Sequence, residues 1–592
     1  MNRREFELSD KCSVSLMSLI GRQESRIRPS AAATMSGFRP QSAERVSDDD
    51  RVAVIIDTES AETTGNMLAD VGAAPERLGD NFISADVGVY AARDLVGDTL
   101  VRRIQTKKQH VPTLDNALPE IARRDPGNNN PTGHDGDGVL IGIVDSGFDL
   151  SHPMFRDEAG NLRVEGLLDQ DNGNRSFTQS ELQNQWSSGT GPGHDTNGHG
   201  THVATIAGGS AFGSLEGVAP KTRFLLVKTD FFNVDKGVRW IFDQAGTNPC
   251  VVNLSLGNHF GAHDGSDLSE ELYQSITGPG KLLVASAGNE RNDSIHIGSR
   301  FSRNESQRAE FDIFRQPVGN PFAVITLWYD ASDEFACDLV TPTGQTLPIP
   351  HLGQAQVFQG TNIDIELSKK SYFPTGLTQL QITIDFSSRN VPNRWLNNWT
   401  LQLSCTTATI GRIDGWFNNS GFARFHPGPL VEISRTIGLP ATSRGAIAVA
   451  SHVTKDEWDS DDGHQQDHRI VIGRTSPFSS LGPTRDGRQK PEVSAPGQYV
   501  TSALATDSSL ADEGDRAEKT NRVVSIEGTS MSAPVVTGVV ALMLQKKPGL
   551  TPDQVRQIIS DTAVKDRHTG VTQWTLSYGY GKIDASAAVV RT

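Results

Sequence analysis

From residue 139 onward the chain switches repeatedly between short apolar runs and helical patterns, and this alternation restricts the fold more than any other feature. The runs at 139–144, 223–227, 251–256, 282–285 and 446–450 are apolar without alternating. Strands that read this way are covered on both faces, as in a parallel sheet between two layers of helices. Helical patterns lie among and after them at 199–207, 234–245, 270–276, 535–544 and 551–563. The last opens with Thr551, Pro552 and Gln554: a cap, a first-turn proline and the third-position partner of a capping box. The expectation is an α/β fold built on a doubly wound, mostly parallel sheet, with working residues at the carboxyl ends of its strands.

Such a sheet does not account for the whole chain. Residues 22–50 are rich in Arg, Ser and Ala and close on Ser47 and three aspartates, which reads as a flexible leader. Residues 51–57 and 81–90 are strand-like, and 63–71 and 91–104 helix-like, giving a small α+β module over 51–106. A module of that size is marginal alone and better stabilised against a partner surface. The polar stretch 125–133 reads as a loop. From about 290 to 432 the pattern becomes strand-like and more often alternating, as at 323–328, 379–386 and 399–403, with turn signals such as Thr341-Pro-Thr-Gly344 between runs. The expected organisation is a leader (1–50), the α+β module (51–106), the α/β domain in two parts (110–290 and 433–592), and between them an all-β sandwich or jelly-roll insertion (291–432).

Composition removes several function classes. Lys and Arg number 55 against 71 Asp and Glu, a net charge of −16, so general nucleic-acid binding is disfavoured. Cys12, Cys250, Cys337 and Cys405 are widely spaced with no CxxC, which argues against a zinc knuckle. Cys337 and Cys405 could pair, or stay reduced as core thiols. No apolar run approaches the length of a membrane span. The first residues are mixed in sign and arginines interrupt the approach to Ser30-Ala-Ala-Ala, so no export signal is evident. The expected compartment is the cytoplasm, with secretion as the alternative.

Three islands carry chemistry. Val144-Asp145-Ser146-Gly147 closes the first apolar strand, Asn197-Gly-His199-Gly-Thr-His202 opens a helix, and Gly528-Thr-Ser530-Met-Ser-Ala-Pro534 opens another. Pro534 is read here as lying near the first turn, where a missing amide donor costs little. A serine hydroxyl is a poor nucleophile until an imidazole takes its proton, and the imidazole needs a carboxylate to fix its tautomer. Asp, His and Ser at the mouth of one sheet supply that set.

The islands occur in the order Asp, His, Ser, and with their neighbours they resemble the signatures of the subtilisin-like serine proteases, the subtilases. By that resemblance Asp145 orients the imidazole, His199 is general base and then general acid, and Ser530 is the nucleophile. Leu254-Ser255-Leu256-Gly257 resembles the edge that holds substrate backbone beside the P1 pocket, and Ala285-Ser-Ala287-Gly288-Asn289-Glu290 the segment whose asparagine completes an oxyanion hole. The stretches 478–487, 491–497 and 579–584 resemble further family motifs. Asp145 and His199 are close in sequence, whereas more than half the chain separates His199 from Ser530, and the β-rich block accounts for the excess. A small leading module with a β insertion between the oxyanion asparagine and the nucleophile resembles the spore-germination branch.

Rival readings are weighed against these. His202 shares a helical face with His199 and is read as a packed structural histidine. His194, His199 and His202 lack an HExxH pattern, so no metal is expected there. Many subtilases carry an acidic calcium ligand in a His-Pro-Asp context; here His152-Pro153 is followed by Met154, a thioether unsuited to a hard cation. Calcium is therefore possible but unsupported at that position, and no cofactor is assigned. The acidic run Asp456, Glu457, Asp459, Asp461, Asp462 is read as solvated charge. The expected function is a serine endopeptidase made as a zymogen, acting on protein or peptide substrates. Its module at 51–106 would serve as propeptide, and its first cut would fall near Ile104-Gln-Thr-Lys-Lys-Gln109. Ser255, Leu256, Gly257, Ala287 and Gly288 would bind substrate, with an apolar or broad P1 preference. The alternative is a catalytically silent interaction protein that uses its β insertion.

Overall fold

The computed structural model describes residues 132–592 apart from 187–190, 214, 230, 232, 316–319, 361, 373–374, 387, 389 and 419–420; before them it describes 38–39, 51–70, 73, 75–77, 82–88, 95, 100–106, 117–118 and 120–121. Contacts divide the chain into Met1–Val111 and Pro112–Thr592.

In the first unit, strands Phe38–Arg39, Arg51–Thr58, Glu76–Arg77, Phe82–Gly88 and Val101–Thr106 form one antiparallel sheet. Helix Ala61–Asp70 buries Ala61, Thr64 and Leu68, a stripe spaced by three and four residues, and packs on Phe82–Gly88. It starts two residues before the expected position because the Ser60 hydroxyl accepts the Thr63 amide at 3.3 Å. The helix expected at 91–104 is corrected: its last residues belong to the strand Val101–Thr106, which pairs with Val54–Thr58. Pairing with a neighbouring strand overrode the local propensity. Nearly all of the leader and of the loop at 125–133 lies outside the described residues.

The second unit is organised by an eight-stranded sheet in the order Val493–Pro496, Ala446–His452, Lys281–Ser286, Cys250–Leu254, Leu140–Asp145, Arg223–Lys228, Val164–Asp169, Arg175–Thr178. Every pairing is parallel except the last. The inner strands' side chains alternate between two helical layers. Ile141 and Ile143 face a core shared with helices His199–Gly208 and Thr529–Lys546, while Leu140 and Val144 face Val238 and Ile241 of helix Val234–Ala245. Five strands lie where the apolar runs fall, within a few residues. Val164–Asp169, Arg175–Thr178 and Val493–Pro496 were not among them. The capping box at Thr551 and Gln554 forms, with Pro552 opening the helix Pro552–Thr562.

Lys281–Ser286 and Ala446–His452 are neighbours in this sheet, yet the chain between them builds a second structure. One sheet there runs His296–Arg300, Arg412–Phe417, Phe322–Asp330, Leu377–Phe386, Ile363–Tyr372, Gln354–Gln359. The other runs Thr346–Pro348, Glu334–Val340, Trp399–Thr407, Ser306–Ile313, Ala423–Phe425. All their pairings are antiparallel, and both sheets bury residues in one core that includes Phe311, Phe335, Trp399 and Trp416. Cys250, Cys337 and Cys405 are buried free thiols, so the pairing of Cys337 with Cys405 does not occur. Among the described residues no helix is long and apolar enough to cross a membrane.

Candidate active site

The strand Leu140–Asp145 delivers Asp145 to the carboxyl edge of the sheet, and the helix His199–Gly208 begins on His199. The two meet: His199 Nδ1 and Asp145 Oδ1 are 2.7 Å apart, with Asp145 buried and the His199 ring about a quarter exposed. A Cβ at position 200 would collide with the Gly147 carbonyl and Asp145, so glycine there lets the helix start approach the strand end. Burial alone would depress the His199 pKa. The charge and hydrogen bond of Asp145, with the charge of Asp195, outweigh it and hold the imidazole above the ordinary histidine value.

Sequence reasoning missed Asp195, which ties the strand end to the helix start. Its Oδ1 accepts the Ser146 hydroxyl at 2.9 Å and the Gly198 amide at 2.8 Å, and its Oδ2 accepts the Thr201 amide at 2.9 Å. Glycine at the cap offers no side-chain acceptor, so a buried carboxylate nearby has to satisfy the first-turn amides. That requirement, together with an Asp three residues before Gly198, was the signal available in the sequence.

Ser530 is the second residue of the helix Thr529–Lys546. Extending the pairing of Ile143 with Asn253 puts Ser255 on the strand beside Asp145, at the same sheet edge. The Ser530 hydroxyl donates to the Ser255 carbonyl at 3.2 Å, and the Ser255 hydroxyl donates to the Ser530 carbonyl at 2.7 Å. The second bond corrects the expectation for Pro534, which lies beyond the first turn. A helix would supply the Ser530 carbonyl with the amide of residue 534, proline has none, and Ser255 provides the donor instead.

Asn289 Oδ1 accepts the Thr529 amide at 2.9 Å and the Thr529 hydroxyl at 3.0 Å. A backbone amide can only donate, so the atom facing it is the oxygen and the Asn289 NH₂ is turned the other way. A point beside Gly528, where a Cβ would stand, lies 3.5 Å from Asn289 Nδ2 and 3.6 Å from the Ser530 amide nitrogen. Gly528 has φ 152°, so this space beside the two donors is left open. Two N–H groups, one of them the backbone amide of Ser530, thus flank one small volume.

The other expected residues form the surroundings. Ser255 is buried, Leu256 half-buried and Gly257 exposed, and no hydrogen bond engages the backbone of Leu256 or Gly257 among the described residues. That leaves a short free edge. Ala287 is buried with its carbonyl accepting the Gly438 amide at 3.1 Å, and Gly288 donates to the Thr529 hydroxyl at 3.1 Å. His202 is fully buried, its Nε2 3.1 Å from both the Val500 and the Val524 carbonyls, and burial pushes its pKa down to about 3.

Met154 packs among Leu215, Ala503 and Val523, and His152 caps its short helix by accepting the Met154 amide at 3.3 Å. The acidic run forms a hairpin, Glu457–Ser460 with Gly463–Gln466. Asp459 meets His464 there at 2.9 Å, and Asp461 accepts the Lys519 amide at 3.1 Å. Among the described residues one trio, His296, Asp414 and Glu432, brings three potential metal ligands together. Arg412 already bridges both of its carboxylates and Arg435 lies 2.8 Å from Glu432, so this cluster is neutralised by guanidinium groups.

The sequence profile of the subtilase family matches residues 136–313 and 418–581. Serine protease AprX of Bacillus subtilis (strain 168) is 32% identical over 164 residues, covering 26% of this chain and 32% of that protein. A C5a peptidase of Streptococcus pyogenes is 22% identical over 498 residues, covering 77% of this chain and 40% of that protein. The matches thus span two fifths or less of these relatives' own lengths. The solved structure of the Clostridium perfringens CspB protease superposes with a TM-score of 0.65 at 23% identity, covering 78% of this chain and 96% of that one.

Proposed function

Because this chain belongs to the subtilase family, we propose that it is a serine endopeptidase in which Asp145, His199 and Ser530 form the acylating centre. One observation carries the reading: the 2.7 Å pair of Asp145 and His199 stands at the sheet edge where Ser530 opens its helix and two N–H donors flank a single open point. With Asp145 on Nδ1, the neutral imidazole carries its proton there and presents Nε2 as the base. The Ser530 hydroxyl swings from the Ser255 carbonyl to Nε2, gives up its proton and attacks the scissile carbonyl. The developing oxyanion fills the space beside Gly528, taking hydrogen bonds from Asn289 Nδ2 and the Ser530 amide. His199 then protonates the leaving amine, and a water molecule activated by the same imidazole releases the acid and restores Ser530.

The free edge at Leu256 and Gly257 supports binding of substrate backbone in extended form, and the walls at Ser255–Gly257 and Ala287–Gly288 suit an apolar or broad P1 residue. The strand order of the two facing sheets supports a jelly roll for the inserted block. Together with the leading module, that arrangement supports the proposed likeness to the spore-germination branch. The module at 51–106 is proposed as a propeptide. Val101–Thr106 is held as a strand of that unit, so the first cut falls beyond Thr106, in 107–109.

Unfolded casein is the direct substrate test. The wild-type chain is expected to digest it, cutting mostly after apolar or mixed residues, and Ser530→Ala to leave it intact. No digestion by folded wild-type protein would favour the catalytically silent reading. Cuts mainly after Lys, Arg, Asp or Glu would overturn the P1 assignment.

A further inference from the structure

Resting on that reading, we propose that Glu290 is a positioning residue for Asn289, and that the inserted β sheets govern it through a stacked column of His259, His263, Trp416 and His296. Asn289 is held at two ends. Thr529 fixes its side-chain oxygen, while its backbone amide donates to Glu290 Oε2 at 2.6 Å. The same carboxylate oxygen accepts the Ser480 hydroxyl at 3.0 Å and faces His259 Nε2 at 3.5 Å. The Ser480 hydroxyl oxygen in turn accepts the Glu290 amide at 3.1 Å. The turn is wrapped tightly around its own carboxylate. Gly288 has φ 112°, and a Cβ there would strike Glu290 Oε2 and the Ser480 hydroxyl. A negative group this enclosed keeps its place only while its donors keep theirs.

Those donors lead away from the parallel sheet. His259 is buried, and its backbone amide donates to the Asn418 carbonyl in the inserted block at 3.2 Å. Its ring stacks on His263 with centroids 5.1 Å apart, His263 on Trp416 at 4.0 Å, and Trp416 on His296 at 4.7 Å. All three pairs lie within 17° of parallel. His263 Nδ1 donates to the Ile437 carbonyl at 2.7 Å, and the next residue, Gly438, donates to Ala287 at the start of the Asn289 turn. The far end is pinned by charge: His296 Nε2 lies 3.3 Å from Asp414, which Arg412 also holds. His259 Nδ1, His263 Nε2 and His296 Nδ1 are buried without hydrogen-bond partners. Each ring thus has a polar partner on one nitrogen only, and contact from ring to ring is by stacking. The inserted block thus does more than lengthen a loop: one of its strands, Arg412–Phe417, carries Trp416 into the support of Asn289.

The experiment is a double-mutant cycle on kcat and KM with a chromogenic peptide. Oxyanion stabilisation acts only in the transition state, so Glu290→Ala is expected to lower kcat about tenfold with KM within about twofold. Glu290→Gln keeps an acceptor for the Asn289 amide and is expected to recover most of the loss. Trp416→Leu is expected to lower kcat several-fold. In an Asn289→Ala background both effects should nearly vanish, because the residue they act through is gone. An equal fall in kcat with or without Asn289, or unchanged kcat in Glu290→Ala, overturns the proposal while leaving the protease reading intact. If the folded wild type is inert to every peptide, the protease reading falls. Positioning is then read from the Asn289 side-chain amide resonance, which Glu290→Ala is expected to shift and broaden; an unchanged signal overturns the inference.

Discussion

His199 is held between opposed influences, and its pH behaviour follows from which one wins. Burial favours the neutral ring, while the carboxylates of Asp145 and Asp195 favour the protonated one and prevail, so its pKa stands above the ordinary histidine value. Only the unprotonated ring can take the Ser530 proton. kcat/KM is therefore expected to be retained at alkaline pH and lost as pH falls through a midpoint above about 6.5. Asp145→Asn removes the nearest charge and leaves burial dominant. The acidic limb should move to lower pH and the rate fall by about 10⁴-fold. A pH–rate profile of the two proteins checks both, and a limb that stays in place would mean Asp145 does not control the imidazole. At this scale the sequence offered Asp145 and His199, which the structure brings together, and the islands of Ser530 and Asn289, whose roles are proposed. Asp145, His199, Ser530 and Asn289 sit in short islands whose residue types declare their chemistry. Asp195, Ser480 and Glu290 were hidden because their work is hydrogen bonding to groups that the linear chain does not place beside them.

Elements explain why these islands could be found at all. A strand buried on both faces must be apolar throughout, and a helix packed between the sheet and further helices, as Thr529–Lys546 is, must be apolar nearly all round, so both leave plain marks in the sequence. Shorter strands lacked such a mark: Arg175–Thr178 is mostly exposed, and Val493–Pro496 has only four residues. The Val101–Thr106 strand was misread because long-range pairing, which local periodicity does not carry, decided it. The helix Thr529–Lys546 supplies a test of local accounting. If Pro534 strips a donor from the Ser530 carbonyl and Ser255 restores it, Ser255→Ala should cost about 1–3 kcal/mol in denaturant unfolding. Adding Pro534→Ala returns a backbone amide and should recover a good part of that loss. A double variant no more stable than Ser255→Ala alone would show that the carbonyl does not need this donor.

For the molecule as a whole, one mostly parallel sheet brings three chain-distant groups to its edge, and an excursion between two adjacent strands adds a pair of antiparallel sheets. The excursion was legible from the length of chain before Ser530 and from alternating runs. Its column of stacked rings against the Asn289 turn was not, since it joins His259 and His263 to residues on separate strands of another sheet. The central claim is that Ser530 is the activated hydroxyl of a single acylating centre. It is tested most directly by treating folded protein with a fluorophosphonate and mapping the adduct by mass spectrometry. One adduct per chain is expected, on the peptide containing Ser530, formed faster as the pH rises through the His199 midpoint and absent from Ser530→Ala. Equal labelling of Ser530→Ala, or no labelling of folded wild-type protein at any pH, would contradict the account.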